Sequence, residues 1–138
     1  MEKRALISVK SFSDIDPNEA VEVVTPGNFM IDGDMFEAIY EESKISGMEG
    51  TTTKLRINRD SMMLIREGTT NTTMEFSEGY MTPCLYNTPY GTLDLNIDTK
   101  KLDITIDETG GEIYSKYILG FAGQEDITTE LHIKIKVN

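Results

Sequence analysis

Arg66 is the charged residue whose surroundings point most directly to chemistry. It shares a strand face with Met62 and Leu64, while Met63, Ile65 and Glu67 share the other. The run therefore buries parts of both sides, and its terminal guanidinium can point inward. An inward guanidinium beside tyrosines is a ready donor for a carboxylate or phosphate head. The same geometry lets Arg66 pair with an internal glutamate such as Glu42 as a structural bridge, and its long stem also reaches outward to a rim. Tyr40 and Tyr117 are the tyrosines expected to join Arg66 in reading a polar head, with Phe36, Phe76 and Leu119 as apolar lining.

Other candidates carry less. Glu41 and Glu42 are adjacent, and neighbouring strand residues point to opposite faces, so the two cannot flank one glycosidic bond. Glu42 shares a face with Phe36, Ala38 and Tyr40. A solvated strand end is the favoured reading for it over an interior carboxylate, because unpaired buried acids are costly. His132 alternates with Glu130 and Lys134 and reads as solvent-exposed. Cys84 follows Pro83 with no basic neighbour to lower its pKa, so it reads as a packed, inert thiol. Asp14-Ile15-Asp16-Pro17-Asn18 resembles the start of a calcium loop, but Glu19 stands where that loop needs glycine and Thr25 where it needs a bidentate glutamate. A solvated turn is expected there, with neither metal nor cofactor.

Positioning such residues falls to β-structure. Short runs with a two-residue period are broken about every 8 to 12 residues by Gly, Asp, Asn or Pro. Leu93 to Asp98 and Leu102 to Asp107 alternate strictly, as do Leu131, Ile133, Ile135 and Val137 with the polar residues between them. Noisier runs cover 6–12, 20–31, 35–43, 51–57, 62–67, 71–77 and 80–86. Asp32-Gly33 and Gly110-Gly111 suit hairpin turns, Thr88-Pro89-Tyr90-Gly91 suits a type I turn, and Asp98-Thr99-Lys100 reads as a further hairpin. Pro26-Gly27 implies a bulge or a corner. No window of about 11 or more residues carries a helical apolar stripe. Ten or so strands must hide their edges, so the expected fold is all-β, one closed antiparallel barrel spanning 1–138, with a two-sheet sandwich as the alternative.

Bulk properties narrow the partners. The chain has 138 residues, 38% hydrophobic, enough for one core. Its 13 basic and 24 acidic residues leave a net charge of -11, which repels phosphate backbones and anionic headgroups, so neither nucleic acid nor membrane is an expected partner. Met1-Glu2-Lys3-Arg4 leads into five mostly apolar residues, Ala5 to Val9, fewer than a signal core or a membrane span needs. With one cysteine in addition, a cytoplasmic location is expected.

A resemblance runs through nearly the whole chain. Phe36-Glu37-Ala38-Ile39-Tyr40-Glu41-Glu42, Gly47, Thr53-Lys54-Leu55, Arg66-Glu67-Gly68, Phe76-Ser77-Glu78-Gly79, Gly111-Glu112-Ile113 and above all Tyr86-Asn87-Thr88-Pro89-Tyr90-Gly91 resemble the bacterial YwiB-like family. The resemblance implies a calycin-like, lipocalin-superfamily barrel of about 8 to 10 strands with little or no helix, in a family whose biochemical function is not established. There is no tryptophan for a lipocalin signature, and Ser13 to Glu19 is too short for the two-helix lid of fatty-acid-binding relatives.

The leading expectation is a non-catalytic cytoplasmic barrel holding a small apolar or amphipathic, acid-headed molecule at Arg66, Tyr40, Tyr117, Phe36, Phe76 and Leu119. The alternative is a filled barrel that engages a protein partner through its acidic surface or rim. An enzyme ranks below both, because one histidine, one cysteine and no metal-spaced cluster leave little to run chemistry. The oligomeric state is not written in the sequence.

Overall fold

A computed structural model describes residues 2–14, 16–121 and 124–138, and their side chains except at 16–21. Ten strands follow one another: β1 (Glu2–Ser13), β2 (Asp16–Asp32), β3 (Met35–Glu41), β4 (Thr52–Ile57), β5 (Ser61–Glu67), β6 (Asn71–Ser77), β7 (Met81–Thr88), β8 (Gly91–Asp107), β9 (Gly110–Gly120) and β10 (Ile127–Val137). Each pairs antiparallel with its neighbours in sequence. β1 also pairs with β10, from Ala5↔Val137 to Ser13↔Thr129, which closes the barrel. Closure gives every strand two partners, with the β6–β7 seam paired only at Asn71↔Asn87 and Thr72↔Tyr86. A single 3₁₀ turn, Lys44–Ser46, is the one helical element among the described residues. No helix there is long and apolar enough to cross a membrane.

Alternation sorts the side chains. Ala38 and Tyr40 on β3, Leu55 and Ile57 on β4, Met62 and Leu64 on β5, and Ile133 and Ile135 on β10 point inward and are buried. Each large apolar side chain so removed from water contributes roughly 1.5–3 kcal/mol.

Three turn readings are corrected. Asp98-Thr99-Lys100 is no hairpin: β8 runs unbroken through it, with a register shift against β9 between Thr99 and Lys101. Leu95, Ile97 and Thr99 are buried on odd positions, whereas Leu102, Ile104 and Ile106 pack against the core on even ones. One extra residue in a strand switches the phase in this way, so two apolar faces read as two strands belong to one bulged strand. Gly110 and Gly111 are not the β8–β9 turn but the first residues of β9. A Cβ on Gly110 would stand 2.1 Å from the Ile135 carbonyl oxygen, so only glycine lets β10 approach there. The β1–β2 register is continuous at Pro26 and Gly27, opposite Leu6 and Ala5, and its irregularity falls between Ser11 and Ser13. Gly27 instead admits β3: a Cβ there would lie 2.4 Å from the Ile39 carbonyl oxygen. The segment likened to a calcium loop includes Ile15 and the side chains of 16–18, which lie outside the described residues.

In a meander, turns alternate between the two ends of the barrel. The β1–β2, β3–β4, β5–β6, β7–β8 and β9–β10 connections gather at one end, and the remaining turns at the other with the first and last strand residues. The second end is solid, packed by Ile7, Phe29, Leu55, Ile57, Ile97 and Ile133, all at most 1% exposed.

Candidate functional site

The first end is hollow. A cavity of about 420 Å³ opens there, walled by apolar side chains that include Leu64, Met74, Phe76, Leu95, Leu119 and Leu131. Its polar side is a product of strand register. Tyr40 pairs with Thr53, Thr53 with Arg66, Arg66 with Thr72, and Thr72 with Tyr86, a transverse row across β3, β4, β5, β6 and β7. Partners in one row share a face, and Tyr40, Arg66 and Tyr86 of this row reach the wall of a mostly apolar chamber, with Thr53 and Thr72 between them.

Glu42 joins the row from the residue after β3. The Glu42 backbone N–H donates to the Thr51 carbonyl at 2.8 Å, which extends the strand alternation by one step and carries the carboxylate inward. Its residue is 7% exposed. This overturns the solvated strand end expected for it, because the carboxylate is not unpaired: it accepts a hydrogen bond from the Thr53 hydroxyl and faces Arg66, whose Nε is 3.8 Å from Glu42 Oε2. The Glu42 side chain is 2% exposed and that of Arg66 16%, so the pair is screened little by solvent. At 3.8 Å the contact is electrostatic, and Arg66 Nε has no hydrogen-bond partner among the described residues.

The tyrosines answer to the same charges. Burial, then the Glu42 carboxylate, push the Tyr40 hydroxyl above its ordinary value, while Arg66 and a hydrogen bond with Thr53 pull the other way. Burial also raises Tyr117, with Arg66 opposing it. Both therefore remain neutral hydrogen-bonding groups across the physiological range. The Tyr117 ring meets Phe76 edge-on, with centroids 5.0 Å apart, which fixes one side of the chamber.

The mouth is shaped by the β3–β4 connection. Gly47 takes a left-handed φ of 77° and caps the 3₁₀ turn, its N–H donating to the Lys44 carbonyl at 3.1 Å. Ser46 and Met48 thereby lean over the cavity, and the Tyr86 hydroxyl donates to Met48 Sδ at 4.0 Å. Threonines anchor the base of this loop. Thr51 Oγ1 lies 2.8 Å from Thr69 Oγ1 and accepts from the Thr70 N–H at 3.1 Å, tying it to the β5–β6 turn.

Of the residues singled out from sequence, Arg66, Tyr40, Tyr117, Phe76 and Leu119 all line this chamber. Phe36 does not: it is partly buried toward the solid end, stacked on Phe29 with centroids 5.8 Å apart. Sequence reasoning missed Thr53, Ser46 and Met48. The parity of Thr53 with Leu55 and Ile57 was a usable signal, whereas nothing local marks the residues of the loop. Cys84 is buried, with Sγ 3.1 Å from Thr72 Oγ1. His132 is exposed, its ring 4.7 Å from that of Tyr114 between centroids.

A family model described as a domain of unknown function, DUF1934, matches residues 7–133. No curated protein matches the chain. The crystal structure of the ywiB protein from Bacillus subtilis aligns with a TM-score of 0.86 at 21% identity, over 99% of this chain and 93% of that one. At that identity the likeness shows a shared fold and nothing of activity.

Proposed function

The chain belongs to the DUF1934 family, a YwiB-like barrel family of unknown function, and from its interior we propose that it is a non-catalytic cytoplasmic barrel that holds one small apolar or amphipathic molecule, with a polar or acidic head toward Arg66, Tyr40 and Tyr117. One observation carries the reading: the barrel is solid at one end and hollow at the other, and the hollow end joins apolar walls to a short polar row. Ligand pockets have this composition, apolar for affinity with a few placed polar groups for orientation. A volume of about 420 Å³ falls in the lower part of the roughly 300–1,000 Å³ range of small-molecule sites.

The protein as expressed should carry, or take up, a small molecule seen by native mass spectrometry. A displacement screen with an apolar fluorophore should find compounds that compete, and Arg66→Ala should weaken those with a polar head while sparing purely apolar ones. Finding no bound molecule and no displacement would remove this reading.

A further inference from the structure

Glu42 constrains what a head group at this site can be. The cavity wall carries two ionisable charges, the Glu42 carboxylate and the Arg66 guanidinium, and they face each other at 3.8 Å. Together they are neutral. A carboxylate or phosphate entering beside Arg66 would also enter beside a carboxylate, and next to side chains only 16% and 2% exposed that repulsion is little screened. The pair nonetheless leaves hydrogen-bonding capacity of both signs. Arg66 lines the cavity with a guanidinium of five N–H donors, of which the buried Nε–H has no acceptor among the described residues, while Glu42 accepts from Thr53 and has lone pairs to spare, since a carboxylate has about four acceptor sites.

On the reading that the hollow end holds a ligand, we infer that the head group enters without net charge and both donates and accepts: a primary amide, or a carboxylic acid that carries its proton. Its carbonyl oxygen takes an N–H of the Arg66 guanidinium and its own hydrogen goes to Glu42. The head bridges the two side chains across the gap that now separates them and leaves neither unpaired. A carboxylate head satisfies Arg66 but offers Glu42 nothing.

Decanamide and decanoate share a chain and differ in the head, so competition against the neutral fluorophore Nile red separates the cases. At a pH of about 8, decanamide should displace the dye from the wild-type protein at about tenfold lower concentration than decanoate, less than the full cost of a stranded buried charge because decanoate still pairs with Arg66. Glu42→Gln removes the opposing charge and keeps an acceptor for Thr53, so decanoate should gain and the order should reverse. A wild-type preference for decanoate, or equal displacement by both, would overturn the neutral head while leaving the ligand-binding reading in place. Failure of Nile red, decanamide and decanoate alike to bind would remove both. The wild-type comparison decides the matter even if the Gln variant does not fold.

Discussion

Arg66 Nε and Glu42 Oε2 face each other 3.8 Å apart inside the barrel, paired in charge but beyond hydrogen-bonding distance. The carboxylate is the more deeply held partner. Its side chain is 2% exposed, whereas the guanidinium at 16% lies nearer the mouth. Removing either partner is therefore expected to have unequal effects. Arg66→Met strands a buried carboxylate and should cost about 3–5 kcal/mol, the usual penalty for breaking a buried pair. Glu42→Gln leaves a cation that can swing toward water and should cost about 1–3 kcal/mol. Urea unfolding of the two single variants and the double variant measures this, and equal single losses would contradict the asymmetry.

The solid and hollow ends should respond differently to truncation. Leu55, fully buried in the solid end, should lose about 2–5 kcal/mol on Leu55→Ala because close-packed neighbours relax only partly. Leu119 is partly exposed on the cavity wall, so Leu119→Ala should cost about 1 kcal/mol, mainly the transfer term. Conversely, Leu119→Trp should be tolerated, filling the hollow end and abolishing fluorophore uptake. Denaturation midpoints together with a dye titration distinguish this from a barrel packed uniformly throughout.

Alkaline pH should weaken the fold through Tyr40. Its hydroxyl ionises above the ordinary tyrosine value of 10.0 in the folded state, chiefly through burial and then through Glu42. Below 10.0 the tyrosine is neutral in both folded and unfolded chains, and its contribution is fully present. As pH rises past that value the unfolded chain releases the proton first, so stability declines toward the folded-state pKa. Unfolding free energies measured above the ordinary tyrosine value should fall less steeply for Tyr40→Phe than for wild type. An unchanged slope would show that Tyr40 is not the group responsible.

The bulge in β8 should be needed only while its extra residue is present. Deleting Lys100, the extra residue, would bring Leu95, Ile97 and Thr99 into phase with Leu102, Ile104 and Ile106, so that a regular strand keeps both sets inward. Retained cooperative thermal unfolding is the expected outcome, and its loss would show that the bulge does more than set the phase of the two apolar sets. Replacing Lys100 by alanine keeps the count and should change stability by about 0.5 kcal/mol or less, as for an exposed surface site.

Close approach at Gly27 gives a steric test free of left-handed backbone strain. In Gly27→Ala the new methyl would meet the Ile39 carbonyl oxygen at 2.4 Å and Ile7 Cδ1 at 2.6 Å, so β2 and β3 must separate. Overpacking of this kind typically costs about 1–3 kcal/mol, readable as a lower thermal midpoint.

The sequence by itself determined what depends on neighbours along one strand. Alternation gave the β class and put Glu42 on the face of Phe36, Ala38 and Tyr40 and Arg66 on that of Met62 and Leu64, because side chains in an extended chain switch faces at every residue. Parity does not say how deep a residue lies. Glu42 reads as a strand end, and only the Thr51 carbonyl, brought back by the β3–β4 loop, carries it one step further into the interior. Register likewise belongs to the folded barrel. The row from Tyr40 through Thr53, Arg66 and Thr72 to Tyr86 requires four separate strand pairings, none of which is encoded within a single run. Which end fills also lies beyond local pattern. Phe36 and Tyr40 share a face on one strand, yet Phe36 stacks against Phe29 in the solid end while Tyr40 borders the cavity. That division depends on the summed volumes of ten strands meeting in space, a quantity that exists only once the sheet has closed.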